Sequence, residues 1–272
     1  MRNYFFALSF IFPVGLTAQI NCNVYKMENN QACYEACIIA TEDTYGQGTR
    51  GSQLKFDEAI ALCPTLAYAY FEKAVPYLKR GDFVTYRRLI DKAVELSPLE
   101  YLGYRGGARY QFIRDYKGAI SDLEKLDSLS DHDIGFSING DYQLNFVKAL
   151  CYKAIGQKTK AIAIMEQQLA KENYSPMTYD YLHLGVLKME IGDLNGGIEY
   201  LKKSIAYNAY LAEPYYYLAL IYKERKMMKE FMENMETAKS HYLKGYRRFD
   251  PYAHQMDKIY LADIERELKT LD

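Results

Sequence analysis

The chain has 272 residues, 34 of them basic and 35 acidic, for a formal charge of −1. That balance argues against a nucleic-acid binder, which carries an excess of Lys and Arg, and the 25% charged content is that of a folded domain and argues against wholesale disorder. Aromatic usage is lopsided, with 28 Tyr, 12 Phe and no Trp.

Residues 1–18 read as a secretory leader. Arg2 is followed by an apolar run from Tyr4 to Leu16 and then by Thr17-Ala18-Gln19. A short apolar core with a small residue before the cut is the layout of an export signal. The run falls short of the roughly 20 apolar residues of a membrane span, and Pro13 and Gly15 oppose a buried helix. Export is therefore expected, with cleavage after Ala18, to a periplasm or the outside, and no membrane-spanning segment.

Cys22, Cys33, Cys37 and Cys63 crowd the first third of the chain. In an oxidising compartment they permit three pairings, which the sequence leaves open. Their spacing does not match a zinc ribbon. Cys151, in KALCYKAIG, reads as a small buried hydrophobe.

From residue 67 onward the sequence repeats. Breaks fall at Arg80-Gly81-Asp82-Phe83, Ile113-Arg114-Asp115-Tyr116, Ile155-Gly156-Gln157-Lys158 and Ile191-Gly192-Asp193-Leu194, with a fifth, Arg225-Lys226-Met227-Met228, lacking its Gly. Gly81 to Arg114 spans 33 residues, Gly156 to Gly192 spans 36 and Gly192 to Lys226 spans 34, while Arg114 to Gly156 takes 42. Each unit predicts a pair of helices. Gly after the first helix supplies a left-handed residue, and the Asp beyond it caps the second. Apolar residues then recur at helical spacing, as in Phe83, Tyr86, Leu89-Ile90 and Ala93-Val94, until Pro98 ends the unit.

The pattern Tyr70, Lys73-Ala74, Tyr77, Tyr86, Ile90, Ala93, Pro98 resembles the tetratricopeptide repeat family, as does Tyr215, Leu218-Ala219, Tyr222, Phe231, Met235, Ala238 near the end. Residues 65–245 carry the regular repeats. A degenerate first unit within 19–64 keeps Ala36, Ala40, Phe56, Ala59 and Pro64, interrupted by the Gly-rich run at 45–52. The resemblance implies an all-α, right-handed α-α superhelix of six helix pairs. Ala74, Gly107, Ala149, Gly185 and Ala219 on first helices, with Ala119, Ala161, Gly197 and Ala238 on second helices, are expected at the helix crossings, where only small side chains allow close approach.

Two stretches depart from the repeat. LSDHDIGFSINGD at 129–141 predicts a loop, and its Asp131, His132, Asp133 and Asp141 lack a defined ligand spacing, so no metal is expected there. Residues 246–272 predict a capping helix opened by Asp250 and Pro251, with Met256, Tyr260, Ile264, Leu268 and Leu271 as its apolar stripe.

Function is expected on the concave side lined by the first helices. The family's groove-facing positions correspond here to Tyr68 and Phe71, Tyr101 and Tyr104, Phe146, Tyr179 and Leu182, and Tyr216, accompanied by Gln111, Gln143, Lys153, Glu213 and Lys223. Members that grip a C-terminal carboxylate use Lys and Asn where Phe71 and Val75 stand, so that use is not implied. The expected role is an exported scaffold that binds an extended peptide or helix of another envelope protein. The alternative is a carbohydrate-binding envelope component using the same tyrosines. Whether residues 19–32 cover part of this lining stays open.

Enzymatic readings find little support. His132, His183, His241 and His254 are scattered, no nucleophile elbow or phosphate loop is present, and the carboxylates of Asp180 and Glu190 form no recognisable pair. No catalytic residue and no cofactor are expected.

Overall fold

The computed structural model describes residues 20–42, 44–137, 140–253 and 255–269. The expected leader, its cut after Ala18, His254 and Leu271 lie outside the described residues. The described residues contain fourteen α-helices. They divide into two compact units, one ending at Leu96 and the other starting at Ser97.

In the first unit α1 (Asn23–Met27) and α2 (Gln31–Thr41) lead into α3 (Arg50–Leu62), α4 (Ala67–Lys79) and α5 (Phe83–Leu96). Two disulfides join Cys22 to Cys37 and Cys33 to Cys63. This selects one of the three pairings the sequence leaves open, and helix packing explains it. Cys33 lies in the first turn of α2 and Cys63 caps the end of α3, so two helices packed against each other in opposite directions bring them together. Cys37, one turn further along α2, is left for Cys22 at the start of α1. Ala36, Ala40, Phe56 and Ala59 are buried around the bridges, which is the core that the degenerate first repeat keeps. Part of the Gly-rich run opens α3: Thr49 Oγ1 accepts from the Ser52 amide at 3.3 Å. Gly48 takes φ +78°, and a Cβ there would meet Pro76 of α4 at 2.8 Å.

The second unit stacks four further pairs: α6 (Pro98–Ala108) with α7 (Tyr116–Leu129), α8 (Leu144–Ala154) with α9 (Lys158–Leu169), α10 (Asp180–Glu190) with α11 (Leu194–Tyr207), and α12 (Ala212–Glu224) with α13 (Met228–Leu243). A π-helical turn, Arg109–Ile113, widens the end of α6. Arg105 and Arg109 on this stretch both reach the buried carboxylate of Asp122 on α7, at 2.6 and 2.9 Å.

The breaks fold as the spacing predicts. Gly81, Gly156 and Gly192 all take φ near +80°, and the carboxylates of Asp82, Asp115 and Asp193 accept from amides in the first turn of α5, α7 and α11. Where glycine is missing, Arg114 and Lys226 adopt the same left-handed conformation, φ 59° and 60°. At the crossings Ala74, Ala149 and Ala219 are fully buried, and a Cβ on Gly185 would stand 2.8 Å from Leu201. In the α6–α7 pair the tight position is Gly106, 3.0 Å from Leu123, whereas a Cβ on Gly107 would meet nothing within 4 Å.

The C-terminal region differs from expectation. No helix opens at Asp250–Pro251; the helix α14 is Leu261–Lys269, packed on α13. Asp250 Oδ1 does accept from the amides of Tyr252 and Ala253, but it caps a turn and not a helix. The residues before α14 are needed elsewhere. Residues 246–253 and 255–260 form an irregular strap laid against the first helices of the last three pairs.

Candidate functional site

The strap is held at both ends. Near its start, the Tyr246 carbonyl accepts from the Ala212 amide at 2.9 Å and the Arg248 amide donates to Glu213 Oε1 at 2.8 Å, both at the beginning of α12. The Arg248 side chain is wholly buried. Its guanidinium donates to the Tyr142 hydroxyl and to the Met256 carbonyl at 2.9 Å, stands 2.8 Å from His183 Nε2 on α10, and lies 3.9 Å over the ring of Tyr179. The bond to Met256 closes the strap into a loop.

At the far end of that loop Asp257 takes φ 59° and turns its carboxylate inward. Oδ2 is 2.6 Å from His183 Nδ1, and Oδ1 accepts from Lys153 Nζ on α8 at 2.5 Å. The imidazole is therefore bracketed: Nδ1–H donates to Asp257, and Nε2 accepts from Arg248. Lys153 also reaches Glu190 at 2.8 Å. Ile259 then joins the core formed by Tyr216, Ala219, Phe231 and Ile264, and Lys223 pairs with Glu267 of α14 at 2.8 Å.

The electrostatics follow from burial and near contacts. Burial and the Arg248 charge pull His183 down to about 4, against the opposing pull of Asp257, so the ring is neutral at physiological pH. Burial alone would raise Asp257, yet Lys153 and His183 hold its carboxyl well below the usual range. Lys153 loses by burial and gains more from Asp257 and Glu190, ending above its ordinary value. Glu213 is pushed up by burial. Two cations and the Asp257 carboxylate thus sit under cover around one neutral imidazole.

The eight expected lining residues fall in both units. Tyr68, in the first unit, is half-buried against the disulfide core, which also gathers Ile20 and Tyr25, and Phe71 is buried. In the second unit Phe146 is 1% exposed, its ring stacked with Tyr174 from the loop after α9, and Leu182 is 0% exposed in the core shared by α10, α11 and α12. Both are enclosed. Tyr101 and Tyr216 are each 7% exposed, Tyr104 is half-buried, and Tyr179 lies beneath Arg248. What the site brings together instead is Lys153 and Glu213, both anticipated, with His183, Tyr142, Arg248 and Asp257, which were not assigned to it. A signal for Arg248 and Asp257 was present: a lining that holds Lys153 and Glu213 requires opposite charges to face them.

The other residues singled out have local uses. Asp180 accepts from the Tyr174 hydroxyl and the Met177 amide, and burial raises its carboxyl to about 6. Glu190 is engaged by Lys153 and Lys158. Asp133 accepts from the Gly135 amide and from Gln143 and Lys171, tying it to the residue that caps α8 and to the turn after α9. Cys151 is buried, and burial pushes its thiol far up, as for an inert core residue. Among the described residues no His, Cys, Asp and Glu side chains gather as a metal site, and no helix is long and apolar enough to cross a membrane.

No family model and no curated protein matches this sequence. Solved structures do match it in fold. PilW, described as a widely conserved type IV pilus biogenesis factor, is 17% identical, covers 87% of this chain and 99% of its own, and superposes with a TM-score of 0.61. PilF of Pseudomonas aeruginosa is 13% identical, covering 88% and 99% at a TM-score of 0.59. YrrB, a TPR protein with an unusual peptide-binding site, is 17% identical, covering 68% and 91% at 0.54. The fold is that of a tetratricopeptide-repeat protein, all-α and built from stacked helix pairs, with α14 as a terminal cap.

Proposed function

We propose that the chain is an exported interaction scaffold that holds a peptide segment of a partner protein on the first helices of its second unit. The observation that carries this reading is the strap itself. The faces of α8, α10 and α12 already hold a non-helical polypeptide segment through Lys153, His183 and Glu213, so the surface is suited to peptide. The peptide-binding site named for YrrB is consistent with such a use of this fold. The two disulfides support export, because such bridges persist in oxidising compartments. The carbohydrate alternative requires open tyrosine faces, and the face of Tyr179 is taken by Arg248.

Two measurements test this. Peptides selected from a display library on the purified chain should lose capture when Tyr104 and Tyr179 are both replaced by Ala, with the helical circular dichroism unchanged; undiminished capture rejects this face. Fractionation of expressing cells, with N-terminal sequencing of the mature chain, should find it outside the cytoplasm and starting at Gln19.

A further inference from the structure

The strap is an unusual piece of this protein. It connects the last repeat to α14, and where most other connections between helices are short it reaches across three helix pairs. Its two charged anchors, Arg248 and Asp257, approach the two nitrogens of a single buried ring, His183. Its large aromatic side chains behave in the opposite way: Phe249, Tyr252 and Tyr260 point to solvent, with Tyr252 85% exposed. Most of the strap's anchorage is therefore polar and ionic, with Ile259 its principal apolar contribution.

Such anchorage specifies position more than it adds strength. Buried ion pairs give back in attraction roughly what they lose in hydration, so separating both partners into water is far less costly than leaving one behind. The fit is also incomplete. Glu213 accepts from the Arg248 amide through Oε1, while Glu213 Oε2 and Arg248 Nε, both buried, have no hydrogen-bond partner among the described residues. An occupant that supplied a donor to Glu213 Oε2 would fit this face better than the strap does.

We infer that this face recognises a peptide that presents an arginine and a carboxylate together, and that the strap is the chain's own version of that ligand. The arginine lies against Tyr179, between His183 and Glu213; the carboxylate bridges His183 and Lys153. A partner peptide enters by displacing the strap, and an arginine that also engages Glu213 Oε2 displaces it more readily. This rests on the reading of the face as a peptide site, and adds both the ligand's chemistry and the reason the free chain keeps the face covered.

The test uses a fluorescent synthetic peptide of residues 246–260, titrated against the full chain and against the full chain carrying R248A and D257A. The variant, with its internal copy loosened, is expected to bind the peptide at least tenfold more tightly than the wild type. A peptide carrying R248A should lose at least tenfold of that affinity. Equal binding to both chains, or none to either, overturns the inference. So do concentration-dependent dimers of the wild-type chain that the peptide dissociates, since the occupant would then be the strap of a second copy. If the variant loses its helical circular dichroism, native-state hydrogen exchange on the wild type decides: the Arg248, Tyr252 and Ala253 amides should exchange at least a hundredfold faster than core amides of α10, and exchange only through global unfolding overturns the proposal. Display-selected peptides that bind wild type and variant alike would leave the scaffold reading standing and sink this one.

Discussion

Lys153 and Asp257 are separated by 104 positions in the chain, yet their charged atoms stand 2.5 Å apart with both side chains at most 10% exposed. The contact ties the strap to α8, and its energetics are lopsided. Removing one partner leaves a charge stranded under cover, at about 3–5 kcal/mol. Removing both leaves neither. Asp257→Leu and Lys153→Met should each lower the urea midpoint sharply, while the double variant recovers part of the loss. Strict additivity, to within about 0.5 kcal/mol, would mean that the two side chains do not interact.

His183 makes the same region acid-sensitive. Its folded value of about 4 lies below the ordinary 6.5, so the folded protein favours the neutral ring. The sign follows: the stabilisation is fully present above pH 6.5 and is lost as pH falls from there through 4. Integrated over that shift the loss is about 3 kcal/mol. Asp180 works the other way, since its folded value of about 6 exceeds 3.8 and its charged form weakens the fold as pH rises between those values. Urea midpoints at pH 7.5, 5.5 and 4.5 separate the two. His183→Gln should flatten the decline toward acid, and a decline as steep as in wild type would remove the imidazole as its cause.

The repeat architecture was legible because each pair carries its own punctuation. Gly81, Gly156 and Gly192, followed by Asp82 and Asp193 at two of the breaks, state locally where one helix stops and the next begins, and Ala74, Ala149 and Ala219 mark the crossings. The strap was not legible, for a physical reason. Asp250-Pro251 is an equally good opening for a turn or a helix, and which forms depends on what Arg248 and Asp257 meet more than 60 residues away in the chain. What covers part of the aromatic lining was not legible on similar grounds: Phe146 and Leu182 occupy family groove positions, and the loop carrying Tyr174 and the packing of α10 on α11 and α12 enclose them. A periodic pattern fixes which face a residue is on, and leaves open what comes to cover it.

Where the repeat has lost its glycine, the backbone stores strain that substitution releases. Lys226 sits at φ 60° with its side chain exposed, and a left-handed conformation costs a residue with a Cβ about 1 kcal/mol or more relative to glycine. Lys226→Gly should therefore raise the thermal midpoint, contrary to the usual effect of adding glycine near a helix. Gly185→Ala should do the reverse. Its Cβ would meet Leu201 Cγ at 2.8 Å and the Leu201 backbone nitrogen at 3.0 Å, and backbone cannot step aside as a side-chain tip can. Overpacking of this kind costs about 1–3 kcal/mol. Paired melts of the two variants check both signs, and a destabilised Lys226→Gly would show that the break draws on its lysine side chain.

The two disulfides close chain segments of 15 and 30 residues around the core of Ala36, Phe56 and Ala59. In the chain-entropy account, bridges over such loops contribute about 3 and 3.5 kcal/mol by restricting the unfolded chain, and because these loops overlap their joint effect is smaller than the sum. This small core depends on them more than its size suggests, since α1 is only five residues long and cannot stand as an isolated helix. Reduction should consequently act locally. With dithiothreitol present, backbone amides of α2, α3 and α4 should exchange with solvent at least a hundredfold faster, while those of α8, α10 and α12 keep their protection, because the one cysteine there, Cys151, is unbridged. Equal acceleration in both sets would refute a contribution confined to the N-terminal core, and no acceleration in either would mean that Leu66, Phe71 and their neighbours hold it without the bridges.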